Sequence, residues 1–122
     1  MQQEPNRSSE RALEPIIGRE LSAVVFVRDY IQLQFEDAGL SALILPVIKF
    51  GQKTLAFGQP GYRDALCERI GQAVRSASVK ENEGILIDFE DGSTLSISLQ
   101  PDDYSGPEAA IFNNGPEETW VW

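Results

Sequence analysis

Histidine is absent from the 122-residue chain, and cysteine and methionine each occur once. Without histidine there is no imidazole general base, no histidine metal ligand and no nucleophile–histidine pair for covalent catalysis. The single cysteine, Cys67, excludes an internal disulfide and a cysteine-pair metal site. Because an unpaired thiol fits a reducing compartment, we expect a cytoplasmic protein.

Long apolar runs are also missing. The longest, within residues 40–48, is interrupted by Ser41 and Pro46 and is too short to cross a membrane. The N-terminal sequence MQQEPNRSSERALEP lacks the apolar segment behind a basic start that marks a secretory signal. We therefore expect neither a membrane anchor nor a leader peptide.

Basic residues are almost missing from the later part of the chain. Residues 1–75 hold nine basic and nine acidic side chains, whereas residues 76–122 hold one basic side chain, Lys80, against ten acids. The whole net charge of −9 therefore arises in the later part. Such a surface repels phosphate backbones and anionic lipids, which disfavours binding to nucleic acids or membranes. It attracts a basic protein partner, although an excess of charge can also serve solubility alone.

Composition and length are those of one folded domain. Apolar residues make up 42% of the chain and charged residues 24%, which is typical of globular proteins. A chain of 122 residues can bury one continuous core but not a second full-sized domain. We expect a single domain over residues 16–122, preceded by a polar and mobile tail over residues 1–15.

A repeated tripeptide indicates an internal duplication. Phe-Glu-Asp occurs at residues 35–37 and again at residues 89–91, an offset of 54. At that offset, without gaps, residues 21–57 and 75–111 share nine identities in 37 positions, where average composition gives about two. The sequence therefore predicts two related structural units.

Alternating apolar residues predict a hairpin in each unit. In the later unit, alternation over residues 85–89 leads into a turn at 90–93 and resumes over 95–99. Alternation on both sides of an Asp-Gly turn is a strong hairpin signal. In the earlier unit the return strand, residues 40–50, is apolar on both faces. We expect it to be a central strand with a bend at Pro46.

One helix is predicted between the units. Apolar side chains recur there at a spacing of four: Tyr62, Leu66, Ile70 and Val74. This spacing favours a helix over residues 61–74, with Cys67 buried beside its apolar stripe. The closing Thr-Trp-Val-Trp predicts a strand with both tryptophans on one face. The expected fold is α+β and sheet-dominated: two related antiparallel β-meander units (about 21–57 and 75–111), one joining helix and a C-terminal strand.

Nine carboxylate and aromatic residues of the later part are candidates for a partner or ligand site. They are Asp88, Glu90, Asp91, Asp102, Asp103, Tyr104, Glu108, Trp120 and Trp122. Each also has a structural interpretation, because acids near turns bond backbone groups and aromatic side chains pack in sheets. The carboxylate spacing does not follow a calcium loop, and no phosphate-loop motif is present, so we expect no metal and no cofactor.

Residues 60–122 resemble small uncharacterised bacterial proteins. The stretches that carry the likeness are PGYRDALCERIGQAV, FEDGSTLSISL, DDYSGPEAAIF and the closing WVW. These families have no assigned function, and some are similar to integron-cassette or toxin-immunity proteins. The resemblance implies a small α+β fold and a bacterial origin, and it supplies no catalytic residues.

The expected function is non-enzymatic and immunity-like: the acidic later part engages a basic protein partner. The alternative is a small-molecule binding module whose aromatic, carboxylate-bearing pocket selects cationic ligands. A hydrolase that uses carboxylates of the 102–108 segment is a third hypothesis, although nothing in the sequence brings two of them into one cleft. Self-association into a homo-oligomer through sheet edges is compatible with each.

Overall fold

The computed structural model describes residues 9–116 and 118–122. Their strands and α-helix are β1 Ala23–Phe26, β2 Ile31–Phe35, β3 Ala38–Ala42, β4 Val47–Phe50, β5 Lys53–Leu55, α1 Tyr62–Cys67, β6 Val74–Lys80, β7 Gly84–Phe89, β8 Thr94–Ser98, β9 Ala110–Asn114 and β10 Thr119–Val121. Short 3-10 turns cover Glu14–Ile16 and Pro101–Asp103. Across this described part of the chain, no helix has the length and apolar character needed to span a bilayer.

The strands form two five-stranded antiparallel sheets. Sheet one has the order β1-β2-β3-β9-β10, and sheet two has the order β5-β4-β8-β7-β6. The inward side chains of both sheets belong to one buried cluster, which includes Phe35 and Phe112 from sheet one and Phe89 and Ile97 from sheet two. The predicted sheet-dominated fold, with two meanders and a helix between them, is confirmed.

Each unit is a three-stranded meander followed by a hairpin that crosses to the other sheet. Strands β1, β2 and β3 are neighbours in sheet one, but the β4–β5 hairpin that follows them pairs with β8 in sheet two. Strands β6, β7 and β8 are likewise neighbours in sheet two, whereas the β9–β10 hairpin returns to pair with β3. Neither unit therefore completes a sheet without the other.

The predicted return strand over residues 40–50 is two strands in different sheets. The chain leaves sheet one after β3 and enters sheet two at β4, and Pro46 lies in this crossing as the predicted bend. The backbone N–H groups of Leu43 and Ile44 donate to the carbonyl of Ala109, in the second crossing. The run is mostly apolar because β3 and β4 both contribute to the shared core, not because one strand is covered on both faces.

The two meanders differ by one residue at their hairpin turns. Phe35 pairs with Ala38 across a two-residue turn, whereas the Phe89 N–H donates to the Ser93 carbonyl across a three-residue loop, with Gly92 at φ 90°. The ungapped offset of 54 therefore matches the strands before the turns and is one residue out of step after them. Phe35 and Phe89 still hold equivalent places, each last in its strand and fully buried.

The helix is shorter than the predicted 61–74. It ends at Cys67, the backbone reverses at Gly71 with φ 95°, and Val74 is the first residue of β6. Ile70 is 44% exposed and Cys67 is exposed as well, so the expectation of a buried thiol was wrong. The four-residue spacing misleads because its last two members belong to a turn and a strand.

The chain is packed from Ser9 onward, so the mobile tail predicted through residue 15 is too long. Leu13 is fully buried, and the Ser9 hydroxyl accepts a hydrogen bond from the Trp122 indole. A few buried apolar side chains are enough to hold a polar segment against the sheets. Such a segment shows no hydrophobic periodicity, so the sequence does not reveal it. Residues 1–8 of the predicted tail lie outside the described residues.

Candidate functional site

The outer face of sheet two carries an open groove of about 920 Å³. Side chains alternate between the two faces of a strand, and Ile85 and Ile87 point into the core, so Leu86 between them faces outward. Outward residues of four adjacent strands form a row across the groove: Ser78, Leu86, Ser96 and Val47. Leu86 is 43% exposed and lies inside this row between Ser78 and Ser96, which makes it the most prominent exposed apolar side chain of the row.

One end of the groove is acidic. Glu83, in the turn between β6 and β7, and Asp103, in the 3-10 turn after β8, line this end. Lys80 is the one basic side chain among the described lining residues. The Ser98 hydroxyl donates to the Asp103 carboxylate and the Leu99 N–H donates to the Glu83 carbonyl, so both turns are tied to the end of β8. We call this surface the acidic groove.

Two more acids lie at the same end of sheet two. Burial, and then the nearby Glu81 carboxylate, raises the pKa of the Tyr104 phenol. Glu81 lies in the same β6–β7 turn as Glu83, and Asp102 lies in the same 3-10 turn as Asp103. Acids from two separate turns therefore concentrate negative charge beside the acidic groove. In residues 9–116 and 118–122, no three carboxylates or thiols are grouped in a way that could hold a metal ion.

Asp88 lies on the same outer face, one row beyond Leu86. Its carboxylate accepts a hydrogen bond from the Ser76 hydroxyl at 2.7 Å and another from the Thr94 hydroxyl at 2.9 Å. Lys49, on β4, is paired with Thr94 and therefore lies in the same row as Asp88. Both oxygens of Asp88 are therefore engaged by neighbouring strands, which stabilises the sheet.

Glu90 and Asp91 lie at the opposite end of sheet two, in the β7–β8 turn. Asp91 accepts hydrogen bonds from the Ser93 N–H at 2.8 Å and the Ser93 hydroxyl at 2.6 Å, and its other oxygen pairs with Arg69 at 3.0 Å. The Arg69 side chain is 8% exposed and also stacks over the Phe50 ring. Burial raises the pKa of Asp91, but the Ser93 hydrogen bonds and Arg69 outweigh it and lower that pKa below its ordinary value.

The two tryptophans belong to sheet one and do not line the acidic groove. Their rings stack with centroids 6.4 Å apart and 13° between planes, so Trp120 and Trp122 lie on one side as predicted. Both pack against the core, and their indoles donate to Glu118 and Ser9 respectively. Glu108 lies in the second crossing, beside Ala109, and is also not among the groove residues.

The structure therefore brings together part of the candidate set. Asp103 lines the acidic groove and Asp102 and Tyr104 adjoin it, whereas the other candidates lie in the sheet row, at the opposite end or near sheet one. Glu83 and Leu86 were missed as site residues. A signal for Leu86 was present, because it is an apolar residue at the outward position of an alternating strand. No local signal places Glu83 beside Asp103, since the two turns meet only in the folded sheet.

Comparison with protein-family models, with curated proteins and with solved structures finds no match to this chain. The likeness of residues 60–122 to small bacterial families therefore stays a prediction. The acidic groove is the feature from which a function can be inferred.

Proposed function

We propose that this protein is a non-enzymatic, cytoplasmic binding protein, immunity-like in kind, that engages a basic partner protein through the acidic groove. One juxtaposition carries the proposal: Leu86 lies exposed on an open sheet face whose end is lined by Glu83 and Asp103. An apolar centre with a charged rim is the usual anatomy of a protein interface.

The two parts of the surface have different energetic roles. Complete burial of a fully exposed leucine side chain contributes roughly 1.5–3 kcal/mol. Because Leu86 is 43% exposed, covering it contributes about 1 kcal/mol, and Val47 in the same row adds to the apolar contact. The rim carboxylates contribute mainly to the association rate and to the choice of partner, because exposed charge pairs are weak individually. A net charge of −9 steers a basic partner toward the protein from a distance.

The other two functional hypotheses draw less support from the geometry. A cation-selective aromatic pocket needs rings beside carboxylates, but no aromatic side chain is among the described residues that line the groove. A hydrolase needs two carboxylates facing one substrate. Glu108 does not line the groove that holds Asp103, and the Asp103 carboxylate accepts a hydrogen bond from Ser98.

The test uses an extended synthetic peptide of alternating leucine and lysine, with the leucine–glutamate peptide as the charge control. Amide chemical shifts of the full chain are followed by NMR at low and high salt. We expect saturable shifts around Leu86 with the basic peptide, weaker binding at high salt, and no binding of the acidic peptide.

Three variants separate the roles of charge and apolar contact. Glu83→Gln with Asp102→Asn removes two rim charges but keeps the Asp103–Ser98 bond, and we expect roughly threefold to tenfold weaker binding with a flatter salt dependence. Leu86→Thr should weaken binding roughly threefold to fivefold while keeping a strand-forming residue. Glu90→Gln with Glu108→Gln removes the same charge elsewhere and should change affinity little. Equal binding of both peptides, or equal loss in the two double variants, contradicts the proposal.

A further inference from the structure

A second cavity, of about 220 Å³, lies where the end of β1, the first crossing and α1 meet. Its apolar walls include Phe26 from β1, Leu45 from the crossing and Phe57 from the segment before α1. Phe57 is 53% exposed, so part of its ring is accessible to a ligand. The cavity meets the acidic groove only at Leu45 and is otherwise a separate place on the molecule.

Two arginines supply the charge of this cavity. Arg28 and Arg63 line it, and no acidic side chain is among its described lining residues. Neither arginine forms a salt bridge with a described carboxylate. In a protein with a net charge of −9, this cavity is therefore lined by positive charge alone among its described residues.

The position of Arg63 is set by two aromatic rings. Its guanidinium carbon lies 5.8 Å from the ring centroid of Phe26 and 5.8 Å from that of Phe57. Cation–π contacts on two rings hold the planar guanidinium at the cavity and limit its freedom before any ligand arrives. A pre-positioned guanidinium can receive a carboxylate through two parallel N–H···O bonds at a smaller entropic cost.

We propose that this cavity binds a small carboxylate with a planar apolar body, of about the size of benzoate. The arginines match the carboxylate, and Phe26, Leu45 and Phe57 match the apolar ring. A volume of about 220 Å³ is below the roughly 300–1,000 Å³ of pockets for drug-sized ligands, so the ligand is correspondingly small. The inference is independent of the partner proposed for the acidic groove.

The test is a benzoate titration of the full chain followed by amide NMR, with neutral benzamide as the isosteric control. We expect saturable shifts at Phe26, Arg28, Ile31 and Arg63 and a dissociation constant on the order of 1 mM. Benzamide should bind about tenfold more weakly, because it cannot form the charge-assisted pair with an arginine.

Variants show whether the arginines recognise the ligand. Arg28→Gln and Arg63→Gln should each weaken benzoate binding about tenfold. Arg28 makes neither of the ring contacts that hold Arg63, so its variant leaves those contacts in place. Arg75→Gln removes an exposed arginine on β6 and should leave binding unchanged. No saturable shift, equal affinity for benzamide, or unchanged affinity in both cavity variants overturns the proposal.

Discussion

Asp91 illustrates a carboxylate whose surroundings differ from what its local sequence indicates. From sequence, it is one of several acids in a turn and a candidate for a binding surface. In the fold, it receives two hydrogen bonds from Ser93 and pairs with the buried Arg69, which lies 22 residues earlier in the chain. Turn chemistry predicts the contacts with Ser93, because those residues are two positions apart. No local pattern predicts the pairing with Arg69.

We expect Asp91→Asn to lower the free energy of unfolding at pH 7 by about 1–3 kcal/mol, because it removes the less exposed of the two carboxylates paired with the buried Arg69. The folded-state pKa of Asp91 is lowered from its ordinary value of 3.8, so its contribution is present at neutral pH and is lost as pH falls through that folded-state pKa. The difference between wild type and variant should therefore shrink in acid. Urea unfolding followed by tryptophan fluorescence between about pH 7 and pH 3 measures it.

The matched control for this residue is Glu68→Gln. Glu68 is the other carboxylate paired with Arg69, at 3.3 Å, but its side chain is 67% exposed. An exposed pair contributes less than about 1 kcal/mol, so this variant should unfold almost as the wild type does. An equal cost for both variants, or a cost of Asp91→Asn that does not change with pH, contradicts the assigned structural role.

At the level of elements, strands were easier to predict than the helix. Alternation over 85–89 lies within β7, and the Asp-Gly turn joins β7 to β8 as expected. The helix prediction over 61–74 extended too far, because β6 begins at Val74 and pairs with β7. Long-range strand pairing overrides the weak preference of residues 68–74 for helix.

The end of the helix depends on the backbone at Gly71. Its φ of 95° lies in a region that favours glycine, and a β-carbon there would meet no atom within 4 Å. We therefore expect Gly71→Ala to destabilise the protein by about 1–2 kcal/mol through backbone strain rather than through a clash. Thermal or urea unfolding measures the change.

A second glycine provides the control for this prediction. Gly106 does not have a positive φ, and a β-carbon there also meets no atom within 4 Å. Gly106→Ala should be neutral within about 0.5 kcal/mol or slightly stabilising. If Gly71→Ala instead stabilises the protein, as alanine does inside a helix, then the helix continues past Cys67 and the longer helix predicted from the sequence is right.

At the level of the whole molecule, the exchange of hairpins makes the two units depend on each other. The β4–β5 hairpin completes sheet two and the β9–β10 hairpin completes sheet one. Phe35 and Phe89 belong to one buried cluster although they come from different units. We therefore expect the domain to unfold in a single cooperative transition.

Conservative changes at the two buried phenylalanines test this cooperativity. Phe35→Leu and Phe89→Leu should each lower the free energy of unfolding by about 1–2 kcal/mol, because each leaves the shared core underpacked. Both tryptophans belong to sheet one, so their fluorescence reports that sheet directly, while far-ultraviolet circular dichroism reports both sheets.

A change at Phe89 in sheet two should nevertheless shift the fluorescence transition and the dichroism transition together. Phe57→Leu, at a position 53% exposed, is the control and should cost less than about 1 kcal/mol. Two separate transitions, with each variant moving only its own sheet, contradict a shared core.

The negative charge also has to be considered across the whole molecule. The sequence places all of the excess after residue 75, but the fold distributes the described acids of that part among the outer face of sheet two, its two ends and the side of sheet one. Glu83 and Asp103 meet beside Leu86, whereas Asp91 is committed to Arg69 at the far end. A count of charges along the chain therefore overstated how much of the acidic part could face one partner.

Sequence alone excluded histidine-dependent chemistry and an internal disulfide. It also determined the strand-forming segments, the Asp-Gly turn and the presence of two related meanders. Each of these depends on residue type or on contacts between near neighbours. Only the tertiary structure decided that the hairpins exchange sheets, that the helix ends at Cys67 and that Leu86 lies beside Glu83 and Asp103. Alternation shows which residues share a face of a strand, but it does not show which strand lies next to it. Val47 pairs with Ser96, and Leu40 with Phe112, because those pairings let both sheets bury their apolar faces in one core.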